Sequence, residues 1–83
     1  MAISVLLADD HQIVRQGLRA LLERENFNVV GEASDGHEAV ELATRLKPDV
    51  AVVDFVMPRL NGLDAAVQID KQSPSTKTVL LTM

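Results

Sequence analysis

The chain has 83 residues, 47% of them hydrophobic and 24% charged, which allows one domain at most and excludes a disordered chain, a collagen-like repeat or a coiled coil. It contains no cysteine, so a disulfide-stapled scaffold and a thiolate zinc site are excluded too. Twelve acids against eight bases leave a net charge of −4, and direct nucleic-acid binding, which needs clustered Lys and Arg, is not expected of this chain.

Ile3 to Ala8 is an apolar run of strand length that stops at two aspartates. It lacks a basic leader and is too short for a signal-peptide core or a membrane span. The expected compartment is therefore the cytoplasm, with no membrane contact. From Asp10 to about Glu25, Val14, Leu18, Leu21 and Leu22 recur at helical spacing. Phe27 to Ala33 returns to strand character through Val29 and Val30. Asp35 to Leu46 is helical again, with Ala39, Leu42, Ala43 and Leu46 on one face, and Asp35 with Glu38 resembles a capping box. Lys47-Pro48 stops that helix. Val50 to Val53 is a third apolar strand, followed by the turn-rich stretch Met57-Pro58-Arg59-Leu60-Asn61-Gly62. Leu63 to about Lys71 reads as a shorter helix, Ser73-Pro74-Ser75 as a loop, and Thr78 to Leu81 as a fourth strand.

The order βαβαβαβ implies an α/β fold with parallel pairing and right-handed crossovers. Strands 1, 3 and 4 are continuously apolar, as expected where helices cover both faces. A flavodoxin-like sheet has the order 2-1-3-4 and binds ligands beyond the carboxyl ends of strands 1 and 3, which lie about 4.8 Å apart.

Strand 1 ends at Asp9-Asp10 and strand 3 at Asp54. Each acid alone has an ordinary reading: Asp10 as a helix cap, Asp54 as a solvated turn residue. Together they put three carboxylates on one rim, where their mutual repulsion invites a hard divalent cation such as Mg²⁺. A carboxylate can also attack phosphorus to form an aspartyl-phosphate, and metal plus carboxylate is the minimum kit for phosphoryl transfer. Thr82 ends strand 4, where its hydroxyl could bond a phosphoryl oxygen on Asp54. His11 and His37 have no second His or Cys at ligand spacing and are expected to face solvent, and Met57 and Met83 are expected to pack. Neither a dinucleotide fingerprint nor a P-loop is present; Gly17 falls inside helix 1 and Gly31 inside strand 2.

Ala8-Asp9-Asp10-His11, then Asp54-Phe55-Val56-Met57-Pro58 with Gly62, then Leu81-Thr82, resemble the receiver domain of bacterial two-component response regulators, in register from Ile3 to Met83. The stretches from Asp9 to Leu18 and from Val30 to Gly36 resemble the subfamily whose receivers precede a LuxR-type helix-turn-helix. The resemblance implies a CheY-like fold in which Asp54 accepts a phosphoryl group from a phospho-histidine on a sensor histidine kinase. Asp10 would ligate Mg²⁺ directly, Asp9 mainly through water, and the backbone carbonyl of Val56 would complete the ligand set. Thr82 would be the switch hydroxyl, while Pro58 and Gly62 would shape the loop after strand 3. Receivers of this family continue with a helix, a fifth strand ending in lysine and a last helix; Lys71 and Lys77 precede strand 4 and do not match that lysine.

Residues 1–83 are accordingly expected to be the N-terminal part of a receiver, without the fifth strand, the last two helices or the DNA-binding output domain that controls transcription. Such a module is not an enzyme beyond self-phosphorylation and autodephosphorylation. Thr78 to Leu81 would be an apolar edge, so self-association through strand 4, or exchange of elements with a copy, is expected. Two rival readings are a structural fragment without phosphotransfer and a haloacid-dehalogenase-type phosphohydrolase. The latter wants a second Asp two residues after the nucleophile, where this chain has Val56.

Overall fold

The computed structural model describes residues 2–82, so Met83 and its expected packing lie outside the described residues. Strands β1 (Ser4–Ala8), β2 (Asn28–Ala33), β3 (Val50–Asp54) and β4 (Lys77–Leu81) alternate with helices α1 (Gln12–Arg24), α2 (Gly36–Leu46) and α3 (Gly62–Gln72). All strand pairs are parallel and the sheet order is β2-β1-β3-β4, the order expected from the sequence.

Side chains alternate across the sheet, and both faces of its centre are covered. Val5, Leu7 and Val29 face α1 and meet Leu18, Leu22 and Phe27. Leu6, Ala8, Ala33, Ala51 and Val53 face the other way, against Ala39, Val40 and Ala43 of α2, Ala65 and Ile69 of α3, and Met57. That double cover explains why β1 is apolar without alternation.

In β2 the register steps from Val5 opposite Val29 to Leu6 opposite Gly31, leaving Val30 as an extra, exposed residue. Val29 and Ala33 are four apart and would share a face in a regular strand. The bulge lets Val29 enter one core and Ala33 the other.

β4 departs from the expectation of two covered faces. Leu80 packs on the larger core, but Val79 is 46% exposed and Lys77 is exposed. The reason is the placement of α1, which lies over β1 and β2 and leaves the same face of β4 bare.

Helix ends follow local chemistry. The α1 cap is His11, not Asp10, and its side chain makes no capping bond. At α2, Asp35 Oδ1 accepts from the Glu38 N–H at 2.9 Å, while Glu38 Oε1 accepts from Ser34 N–H at 2.8 Å. This is a capping box displaced by one residue. Lys47 takes a left-handed conformation before Pro48 and ends the helix. Asn61 Oδ1 caps α3 by accepting from Asp64 N–H at 2.9 Å. The loop after α3 turns inward: Thr76 Oγ1 donates to the Pro48 carbonyl at 2.7 Å and lies 2.7 Å from Ser73 Oγ, and both residues are buried. Among the described residues, no helix is long and apolar enough to cross a membrane.

Candidate functional site at the carboxyl rim of the sheet

Pairing of Ala8 with Val53 sets the ends of β1 and β3 side by side. The residues that follow, Asp9 and Asp54, share one rim at only 2% and 6% exposure. Burial of two carboxylates is costly unless they are hydrogen-bonded or meet a cation. Asp9 Oδ1 accepts from His11 N–H at 2.8 Å and lies 3.1 Å from His11 Nδ1. Asp54 Oδ1 accepts from Val56 N–H at 3.2 Å.

Asp10 is more exposed, and its Oδ1 lies 3.1 Å from the same His11 Nδ1. Ligand atoms of Asp9, Asp10, His11 and Asp54 all fall within 4.8 Å of one another. The three acids singled out in the sequence therefore meet. His11 corrects its expectation in part: the ring is exposed to solvent, but its Nδ1 turns onto the carboxylates. The hydrogen bond that its ring gives to the Asp9 carboxylate, followed by the charge of Asp10, holds the His11 imidazole above its ordinary pKa. Its position, one residue after the acid pair and capping α1, makes this turn a consequence of helix entry rather than of metal-ligand spacing.

Asp54, His11, Phe55, Val56 and Thr82 line one cavity of about 240 Å³. Thr82 follows the last residue of β4, which brings it into the same lining as Asp54. The Val56 side chain is exposed, while its main-chain N–H bonds Asp54. Phe55 was not evident from the sequence as a lining residue, because only the turn after β3 sets its direction.

The loop from Phe55 to Asn61 is pinned at several points. Met57 is buried in the larger core, the Leu60 N–H donates to the Pro58 carbonyl at 2.8 Å, and the Gly62 N–H donates to the Phe55 carbonyl at 2.9 Å. A Cβ on Gly62 would lie 2.1 Å from the Asp54 carbonyl oxygen, and one on Gly36 would lie 1.8 Å from the Leu60 carbonyl oxygen. The starts of α3 and α2 thus press directly on β3 and the loop that follows it. The donors that converge are carboxylate oxygens, the set a hard divalent cation such as Mg²⁺ prefers, with an imidazole nitrogen beside them.

The sequence pattern of the response regulator receiver domain matches residues 5–83. The chain belongs to that family. The receiver is 48% identical over 81 residues to the transcriptional regulatory protein LiaR of Bacillus subtilis, covering 96% of this chain and 38% of that protein. It is 42% identical over 83 residues to the response regulator protein VraR of Staphylococcus epidermidis, covering 99% and 40%. Among solved structures, it is similar to a LuxR-family two-component response regulator of Aurantimonas sp. SI85-9A1 (36% identity, TM-score 0.93, 100% of this chain and 60% of that one). The response regulator domain of Thermotoga maritima CheB is 41% identical with a TM-score of 0.91, over 96% and 60%. This receiver chain spans about two-fifths of the curated relatives it matches. A LuxR-family regulator, the subfamily expected from the sequence, is among the similar structures, and the family shown is the receiver and not a haloacid-dehalogenase-type phosphohydrolase.

Proposed function

We propose that Asp54 is the phosphoacceptor of this receiver and takes its phosphoryl group from a phospho-histidine on a sensor histidine kinase. The observation that carries this reading is the convergence of Asp9, Asp10 and Asp54 at the carboxyl rim, with Asp54 opening into the cavity that Thr82 also lines. An Asp54 carboxylate oxygen attacks phosphorus, the P–N bond to the donor histidine breaks, and the leaving imidazole keeps the electron pair. Asp10 directly, Asp9 mainly through water, Asp54 and the Val56 carbonyl would hold a Mg²⁺, whose charge offsets that of the phosphoryl oxygens. Thr82 serves as the switch hydroxyl that bonds a phosphoryl oxygen. The wider reading is an N-terminal part of a receiver in the cytoplasm, whose whole protein controls transcription through a DNA-binding output domain.

Intact mass after incubation with Mg²⁺ and acetyl phosphate tests the acceptor. The parent chain should gain one phosphoryl group, and Asp54→Asn should gain none. A parent chain that gains nothing removes the acceptor role from these 83 residues, and an Asp54→Asn chain that still gains one moves it elsewhere.

The bare flank of β4 supports one partner in addition, a second copy of this chain. Lys77 donates to Asp49 and Leu81 accepts from Phe55, so both face β3. Peptide groups alternate along a parallel strand, which points those of Thr78 and Leu80 outward. Antiparallel pairing of two β4 strands about Val79 joins Thr78 of one to Leu80 of the other, twice. The opposite edge, β2, is interrupted by its bulge and is the less suitable template. Exchange of whole elements with a copy is the costlier route, since it must first open the core. Sedimentation at high micromolar concentration should show a dimer that Val79→Lys returns to monomer; a monomeric parent overturns the pairing.

A further inference from the structure

The guanidinium of Arg15 is engaged on two sides at once. Its Nη1 donates to the backbone carbonyl of Asp9 at 2.6 Å, and its Nε donates to Glu32 Oε1 at 2.8 Å. Glu32 lies beside Ala33, whose carbonyl accepts from the Asp9 N–H at 3.0 Å. A closed ring of contacts therefore runs from Asp9 to Arg15, to Glu32, to Ala33 and back to Asp9. Both polar groups of the Asp9 main chain are fixed from below, while its carboxylate is fixed from above by His11.

The ring is partly sheltered, with the side chains of Arg15 and Glu32 at 15% and 24% exposure. Arg19 also pairs with Glu32 but does not touch Asp9. Glu32 is held below the usual carboxylate range by its hydrogen bond from Arg19, then by that from Arg15. It stays ionised wherever the domain is folded near neutral pH.

We propose that Arg15, held by Glu32, is a positioning residue that sets the Asp9-Asp10 main chain for divalent-cation binding. The inference rests on the reading of Asp9, Asp10 and Asp54 as cation ligands. A planar fork suits the task because it bonds a carbonyl and a carboxylate in fixed relative directions. Outer partners of this kind typically change metal affinity by about 10–100-fold when removed.

Positioning and plain electrostatics predict opposite signs. Arg15 is a cation next to an anionic site. If it acted through charge alone, its removal would tighten Mg²⁺ binding by relieving repulsion. If it acts by position, its removal weakens binding although the site becomes more negative.

The test is a Mg²⁺ titration of the folded 83-residue chain followed by amide NMR shifts of Asp9 and Asp10. Arg15→Met should weaken affinity about tenfold. Arg15→Lys should recover part of that loss, because one ammonium reaches only one of the two partners. Arg19→Met should leave affinity unchanged or slightly tighter. Equal or tighter binding by folded Arg15→Met overturns the inference. If Arg15→Met fails to fold, Glu32→Gln decides: it keeps Arg15 but loosens its hold, and unchanged affinity there overturns the inference instead. A parent chain whose shifts ignore Mg²⁺ overturns the cation reading and this inference together, whereas an unchanged variant overturns this inference alone.

Discussion

Gly62→Ala is expected to destabilise the domain by about 3 kcal/mol and, with it, to slow the phosphoryl uptake proposed for Asp54. The Cβ it adds would sit 2.1 Å from the Asp54 carbonyl oxygen, 2.7 Å from Phe55 Cα and 2.8 Å from the Asp54 carbonyl carbon. All three are main-chain atoms, so no side chain can swing aside. The glycine has no positive φ, so its value here is close approach and not conformational freedom. Overpacking costs about 1–3 kcal/mol in a core that can shift its side chains, and a backbone obstacle puts this case at the upper end. Alanine in an unobstructed helix would instead gain about 1 kcal/mol over glycine, so the sign of the change is diagnostic. Urea unfolding followed by far-UV circular dichroism measures it. A midpoint equal to or above that of the parent would show that α3 can withdraw from β3 without loss.

Leu6→Ala should remove about 3 kcal/mol or slightly more. Leu6 is fully buried at the centre of the sheet, in the larger core under α2 and α3. A domain of this length has roughly 4–12 kcal/mol of total stability, so the loss is a large part of the whole. The core it belongs to includes the short side chains of Ala39, Ala43 and Ala51, which collapse poorly into a cavity. Leu7, on the opposite face, should cost less when truncated, because its partners Leu18 and Leu22 are only partly buried and have room to move. The urea midpoint should fall with an unchanged slope. A loss below about 1 kcal/mol would mean that the core closes over the missing atoms.

Much of this architecture was legible in the sequence because two periods alternate along it. Val14, Leu18, Leu21 and Leu22 located α1, Pro48 ended α2, and the unbroken apolar run of β1 announced a strand covered on both sides. The strand order then followed from topology, and with it the meeting of Asp9, Asp10 and Asp54 at one rim.

What stayed hidden depends on contacts between segments far apart in the chain. Arg15 and Glu32 meet only because β2 pairs beside β1, and no local pattern marks them. Glycine at positions 36 and 62 reads in sequence as a helix start; the oxygen atoms that exclude a side chain there come from other segments. The Val30 bulge is invisible in a strand whose residues are all compatible with regular pairing. Ser73 and Thr76 look like loop residues until the Pro48 carbonyl, on the next connection over, gives them a reason to be buried. β4 misled in the other direction: apolar composition suggested two covers, and α3 provides one while α1 lies over β1 and β2.

The exclusively parallel pairing of the strands has a kinetic consequence. No two adjacent strands can join through a hairpin, since each partner lies a whole helix or more further along the chain. Every ladder of sheet hydrogen bonds must therefore wait for a long loop to close, and the entropy of closure is lost before any bond repays it. β1 is made first, yet it gains its second neighbour only when Val50–Asp54 has emerged. During synthesis β1 thus waits longer for its second neighbour than β3, the other central strand, does, and a nascent chain of this fold depends on the speed with which β3 arrives.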